Sequence, residues 1–122
     1  MKNKVLALAA AAEAATGVLV FALPQAAVRL LFAADVTEAG VLMSRVAGIS
    51  LIGLGVACWP GNDTQWSFYG MLIYSTLVML YLAYTGVRGE FSGALLWPAV
   101  VAHAIIGILL VGARFKEGKT AA

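Results

Sequence analysis

Four side chains in this sequence stand out for the chemistry they could do: Glu13, Arg45, Tyr74 and His103. Each lies within a long apolar run, where an ionisable or hydroxyl group is costly unless it is neutralised, paired or hydrogen-bonded. Glu13 is the sharpest case. It sits near the middle of residues 5–23 (VLALAAAAEAATGVLVFAL), a run long enough to cross a bilayer. A charged, unpaired carboxyl there costs about 3 kcal/mol or more. It therefore takes up a proton, contacts a ligand, or is fixed by a cation for packing.

The other three carry open alternatives. Arg45 lies two turns from Glu38. Its long side chain either reaches toward Glu13 or snorkels to Glu38, Asp35 or lipid headgroups. His103 is the single histidine, so it cannot supply the usual ligand set of a metal site. It reads as a hydrogen-bonded core residue or as a proton-handling group; one axial haem ligand is a third role that nothing else in the sequence supports. Tyr74, Tyr81 and Tyr84 follow i, i+7, i+10 spacing, which places them on one helical stripe. Buried tyrosines need hydroxyl partners. Such a stripe either packs plainly or lines an apolar cavity with polar tips, which suits a quinone, a lipid or an aromatic cation. Ser50, Ser75 and Thr76 join the same polar layer. No P-loop, dinucleotide fingerprint, zinc spacing or nucleophile–base motif is present. No cofactor is specified, and enzyme chemistry would need a bound redox group to supply it.

The elements that position these residues follow from composition. Of 122 residues, 62% are hydrophobic and 11% charged, and the mean hydropathy is +0.93. A water-soluble domain of this size could not cover so much apolar surface. The chain reads as one integral membrane domain, all-α, a four-helix transmembrane bundle with spans at about 5–23, 39–59, 65–87 and 92–113. Pro24 breaks the chain after the first span. Beyond it Gln25 and Arg29 share one side and Val28, Leu31 and Phe32 the other, a short interfacial amphipathic helix. Pro60 to Asp63 forms a tight turn, with Asp63 or Thr64 capping the third span. Pro98 either kinks the fourth span or marks its true start near Trp97.

Helical rise gives depth. Glu13 lies roughly 13 Å into the first span, near the middle of a ~30 Å core, and Tyr74 comes to the same level. His103 lies roughly 16 Å into the fourth span if that span starts at Ser92, and about 7 Å nearer its beginning if it starts at Trp97. Small residues offer close helix contacts: Ala7, Ala11 and Ala15 in the first span, Ser44/Gly48 and Gly53/Ala57 in the second. The face carrying Glu13 also carries Ala9, Ala10, Thr16 and Gly17, and should turn toward other helices.

The net charge of +2 collects at the two ends. Lys2, Lys4, Arg114, Lys116 and Lys119 lie on one side of a four-span protein, Arg29 and Arg88 on the other. Both termini are thus expected in the cytoplasm, with the chain in a bacterial inner membrane. The pattern anchors a protein in a lipid bilayer rather than on nucleic acid. The Asn62-Asp63-Thr64 sequon then falls on the cytoplasmic side and reads as chance. The opening Met1-Lys2-Asn3-Lys4, with Ala12-Glu13-Ala14 downstream, imitates a cleavable leader, but apolar residues continue to Leu23, as in a spanning helix. The lone Cys58 permits no intrachain disulfide.

The segment from Arg45 to Gly55 (RVAGISLIGLG), an arginine entering a Gly/Leu-rich second span, resembles the DoxX-like group of small bacterial membrane proteins, and Trp97-Pro98 before the fourth span adds to the likeness. That resemblance implies a four-helix bundle, with some relatives tied to quinone or redox complexes. The layout is also similar to small multidrug-resistance transporters, where one acid in the first span is essential; Ala12-Glu13-Ala14 falls in its place. The third span lacks that family's tryptophan-and-glycine signature, and Arg45 and His103 have no counterpart there. Two functions are therefore expected. In the first, the layer of Glu13, Arg45, Tyr74 and His103 binds a lipophilic small molecule, quinone- or lipid-like, or supports a partner membrane complex. In the second, Glu13 serves a proton-coupled transporter built as a homo-oligomer.

Overall fold

The computed structural model describes residues 1–61 and 64–121. It contains five helices: α1 (Lys2–Ala22), α2 (Pro24–Phe32), α3 (Glu38–Ala57), α4 (Thr64–Arg88) and α5 (Leu96–Thr120). The fold is all-helical among the described residues, and all but α2 are long and apolar enough to cross a membrane. The expected turn at 60–63, the sequon at Asn62 and a cap from Asp63 fall on Asn62 and Asp63, outside the described residues.

Local chemistry explains the boundaries. Leu23 leaves helical geometry at φ −128°, and Pro24 starts α2 at a first-turn position where its missing N–H costs nothing. Ala33 ends α2 in the left-handed region at φ 52°, so a glycine would be less strained there. Thr37 caps α3 by accepting a hydrogen bond from the Gly40 N–H at 3.1 Å. α5 begins at Leu96 rather than Ser92, which puts Pro98 in its first turn without a kink. It also runs past Ala113 to Thr120, because the basic tail continues the helix beyond the apolar stretch.

α1 is the hub. On one face it packs closely against antiparallel α3, and on an adjoining face it meets α4 and α5, which pair with each other. The α1–α3 contact is made by small residues. A Cβ built on Gly17 would stand 2.6 Å from the Gly48 carbonyl oxygen, and one on Gly55 would stand 2.5 Å from that of Ala10. Only glycine allows backbones this near. The edge in use is therefore Ala10, Ala14 and Gly17 against Gly48 and Gly55; Ala11 and Ala15 are exposed, and Gly53 faces open space.

The two ends of the α1–α5 pair are tied. Lys2 Nζ lies 3.0 Å from Glu117 Oε2, so both termini sit at one end of the molecule. At the other end Leu95 and Gly93 donate backbone hydrogen bonds to the Leu30 and Leu31 carbonyls at 2.8 and 2.9 Å. These bonds fasten α2 across the start of α5. The core of Leu6, Ala9, Ala10, Phe68, Met71 and Leu110 lies among α1, α4 and α5, with Tyr74 packed on its edge.

Candidate functional site

Glu13 is 4% exposed, on the α1 face that looks toward α4 and α5 rather than α3. Its carboxyl Oε1 lies 3.3 Å from Nε2 of His103 on α5. The opposite ring nitrogen, Nδ1, lies 2.8 Å from the carbonyl oxygen of Ala99, one turn back on the same helix. A carbonyl only accepts, so Nδ1 carries the hydrogen. Nε2 faces the carboxyl at 3.3 Å as an ion-pair contact, and among the described residues it makes no hydrogen bond. With one proton between them, the two groups are carboxylic acid facing imidazole or carboxylate facing imidazolium. The pair is electrically neutral in both arrangements, which makes its burial affordable.

Tyr74 on α4 completes the cluster. It packs against the α1–α4–α5 core that also holds Ala9 and Ala10. Its ring centroid lies 6.0 Å from that of His103, tilted by 59°. The neighbouring Ser75 is fully buried, and its hydroxyl has no partner among the described residues. Thr76 instead donates to the Leu72 carbonyl of its own helix at 2.8 Å, and Ser50 to the Val46 carbonyl at 2.9 Å. At the α3 end, Cys58 is buried against the core residues of α1 and α4.

His103 also opens onto space. A groove of about 570 Å³ runs between α4 and α5, walled by Leu72, Thr76 and Met79 on one side and Ala104, Gly107 and Ile108 on the other. Its lining is apolar apart from Thr76 and His103. A cleft of that size, with a few convergent polar groups, suits a drug-sized ligand.

The structure thus unites Glu13, Tyr74 and His103, and leaves Arg45 out. Arg45 is exposed and makes no ion pair or hydrogen bond among the described residues. The face of α3 that meets α1 runs through Gly48, Ile52 and Gly55. Arg45 lies one turn before Gly48, beyond the Phe21 end of that seam, while Glu13 turns to His103 on the α4–α5 side of α1, so the expected reach toward Glu13 does not occur. The tyrosine stripe also divides: Tyr81 and Tyr84 are 66% and 58% exposed, and Arg88 lies over the Tyr84 ring at 5.9 Å. Sequence reasoning missed the Ala99 carbonyl, which fixes the histidine tautomer. The i−4 spacing within one helix is the signal that could have found it.

No metal centre can be built here from several ligands: among the described residues no three His, Cys, Asp or Glu side chains gather. The chemistry the cluster can do is to hold and hand over one proton, and to hydrogen-bond a polar group presented from the groove. Set against family models, curated proteins and solved structures, the chain matches none of them.

Proposed function

We propose that this chain is a four-helix transmembrane bundle, with α2 in the interface, that binds a lipophilic small molecule of quinone- or lipid-like character. The ligand's apolar body lies in the α4–α5 groove, and its polar head meets His103 and, behind it, Glu13 and Tyr74. The observation that carries this reading is the buried Glu13–His103 contact at the edge of an otherwise apolar groove. Lipid alone gives no reason to keep an acid and an imidazole at that depth. The excess of Lys and Arg at the terminal end supports both termini in the cytoplasm, and the DoxX-like layout supports a bacterial inner membrane.

Native mass spectrometry with an absorption spectrum, on protein purified in mild detergent, tests the proposal. The wild type should retain a small molecule that Glu13→Gln and His103→Gln release. A wild type free of ligand after gentle extraction from its own membrane would count against it and in favour of an accessory subunit separated from its complex.

The shared proton favours a second reading, a proton-coupled transporter. A lipophilic cation entering this neutral site would displace the proton, because an extra charge in an apolar cavity is costly. Proton release on addition of tetraphenylphosphonium, absent in Glu13→Gln, is the expected signature; equal release from both proteins would dismiss it.

A further inference from the structure

His103 lines a second groove as well, on the other flank of α5. This groove holds about 400 Å³ and lies between the last turns of α1, the apolar side of α2 and the first turns of α5. Its walls include Leu19, Leu23, Leu30 and Leu31 on one side and Leu95 and Pro98 on the other. On α5, Ala99 and Ala102 face this groove, whereas Ala104 and Gly107 face the α4–α5 groove. One imidazole therefore forms an end of each.

The polar side chains of the second groove are Thr16 and His103, and both stand at its deep end, the end farthest along α1 and α5 from α2. Thr16 lies one turn from Glu13 on α1. Its hydroxyl donates to the Ala12 carbonyl at 2.8 Å and keeps its acceptor lone pairs free. Everything from there to α2 is apolar. The third wall is firmly placed, since α2 is fastened to the start of α5 by the two backbone hydrogen bonds from Gly93 and Leu95. A Cβ on Gly93 would run into the Leu30 backbone, so this fastening itself requires glycine.

We infer that the α1–α2–α5 groove is a second binding site for a single-chain amphiphile with an uncharged, hydrogen-bonding head, and that a head held at His103 can lay its chain in either groove. The inference rests on the proposal that His103 receives the ligand's head. The head is uncharged because the Glu13–His103 pair is already neutral, and a further buried charge would go uncompensated. The chain is single and aliphatic because the lining between α2 and the deep end is leucine, valine and alanine with the ring of Pro98. Such an arrangement lets a bound molecule exchange its chain between the two flanks of α5 without releasing its head.

Photolabelling in lipid nanodiscs with a diazirine-bearing hexadecanol, mapped by peptide mass spectrometry, tests this. Saturable labelling is defined by competition with excess plain hexadecanol. We expect saturable labels on both sets of walls in the wild type. Ala26→Phe, which fills the α2-side groove from an exposed position, should remove the labels on Leu19, Leu23 and Leu95 and spare those on Leu72 and Ile108. Gly107→Leu should do the reverse, and it should fold normally because a Cβ there meets nothing within 4 Å. His103→Gln should weaken both sets about tenfold, the size of one hydrogen bond to the head. Saturable labels confined to the α4–α5 groove, or α2-side labels indifferent to His103→Gln, would overturn the second site and leave the proposed function standing. No saturable label in either groove would remove both.

Discussion

The two faces of α1 are built from similar small and aliphatic residues and do opposite things. Toward α3 the backbone comes so close that added methyl groups at Gly17 or Gly55 would collide with carbonyl oxygens. At Gly17, Gly48 and Gly55 that interface leaves no room for a side chain. Toward α4 and α5 the same helix presents Glu13, and the surrounding packing is looser: two grooves approach His103, and the Ser75 hydroxyl has no partner among the described residues. In lipid, helix association comes from close van der Waals packing rather than from hydrophobicity. The α1–α3 side supplies that packing, and it frees the α1–α4–α5 side to carry polar groups that packing alone would not select.

The largest effect is expected where there is no space. Gly55→Leu forces a side chain into the Ala10 and Ala14 backbone and should cost about 3 kcal/mol, the upper end of overpacking penalties. Gly53→Leu, two residues away and facing open space, should change stability by less than ~0.5 kcal/mol. Unfolding followed by steric trapping in bicelles measures both. Equal sensitivity at the two positions would erase the contrast between the faces.

On the polar side, Glu13→Ala removes the group facing His103 Nε2 and leaves that nitrogen buried without a partner, at a cost of about 2 kcal/mol. Glu13→Gln should cost less than ~1 kcal/mol, since a side-chain amide can still donate to Nε2. Stability and ligand retention should thus separate: Glu13→Gln keeps the first and loses the second. A parallel loss of both would make Glu13 a packing residue like its glycine neighbours.

Most of the helical layout was legible in the sequence, because long apolar runs broken by Pro24, by the stretch around Pro60 and by Arg88-Gly89 leave few alternatives. Glu13 and His103 were legible as depth. They come together even though α5 starts later than Ser92, since both remain inside the apolar stretch. What could not be read was rotation. Lipid-facing and protein-facing sides of these helices are equally apolar, so hydropathy does not say which way a residue points. Ala11 was as good a candidate for the close contact as Ala10. Arg45 was as plausible at the site as Tyr74, but α3 meets the side of α1 away from Glu13. The second groove was hidden for the same reason, since it depends on where α2 is fastened.

The smallest effect should come from that excluded arginine. Arg45→Ala should leave stability within ~0.5 kcal/mol and ligand retention unchanged, because the exposed side chain makes no hydrogen bond or ion pair among the described residues. Loss of ligand in this variant, seen by native mass spectrometry, would return Arg45 to the site.

The most direct test of the central claim uses the fact that this chain has one histidine. Protein labelled with ¹⁵N-histidine and reconstituted in bilayers gives solid-state NMR signals from His103 alone, with no assignment problem. The account predicts a hydrogen on Nδ1, hydrogen-bonded to a carbonyl, and an Nε2 resonance that moves when Glu13 becomes glutamine but not when Arg45 becomes alanine. An Nε2 resonance indifferent to Glu13→Gln, or one of a freely solvated imidazole, would contradict the pairing on which the proposed site depends.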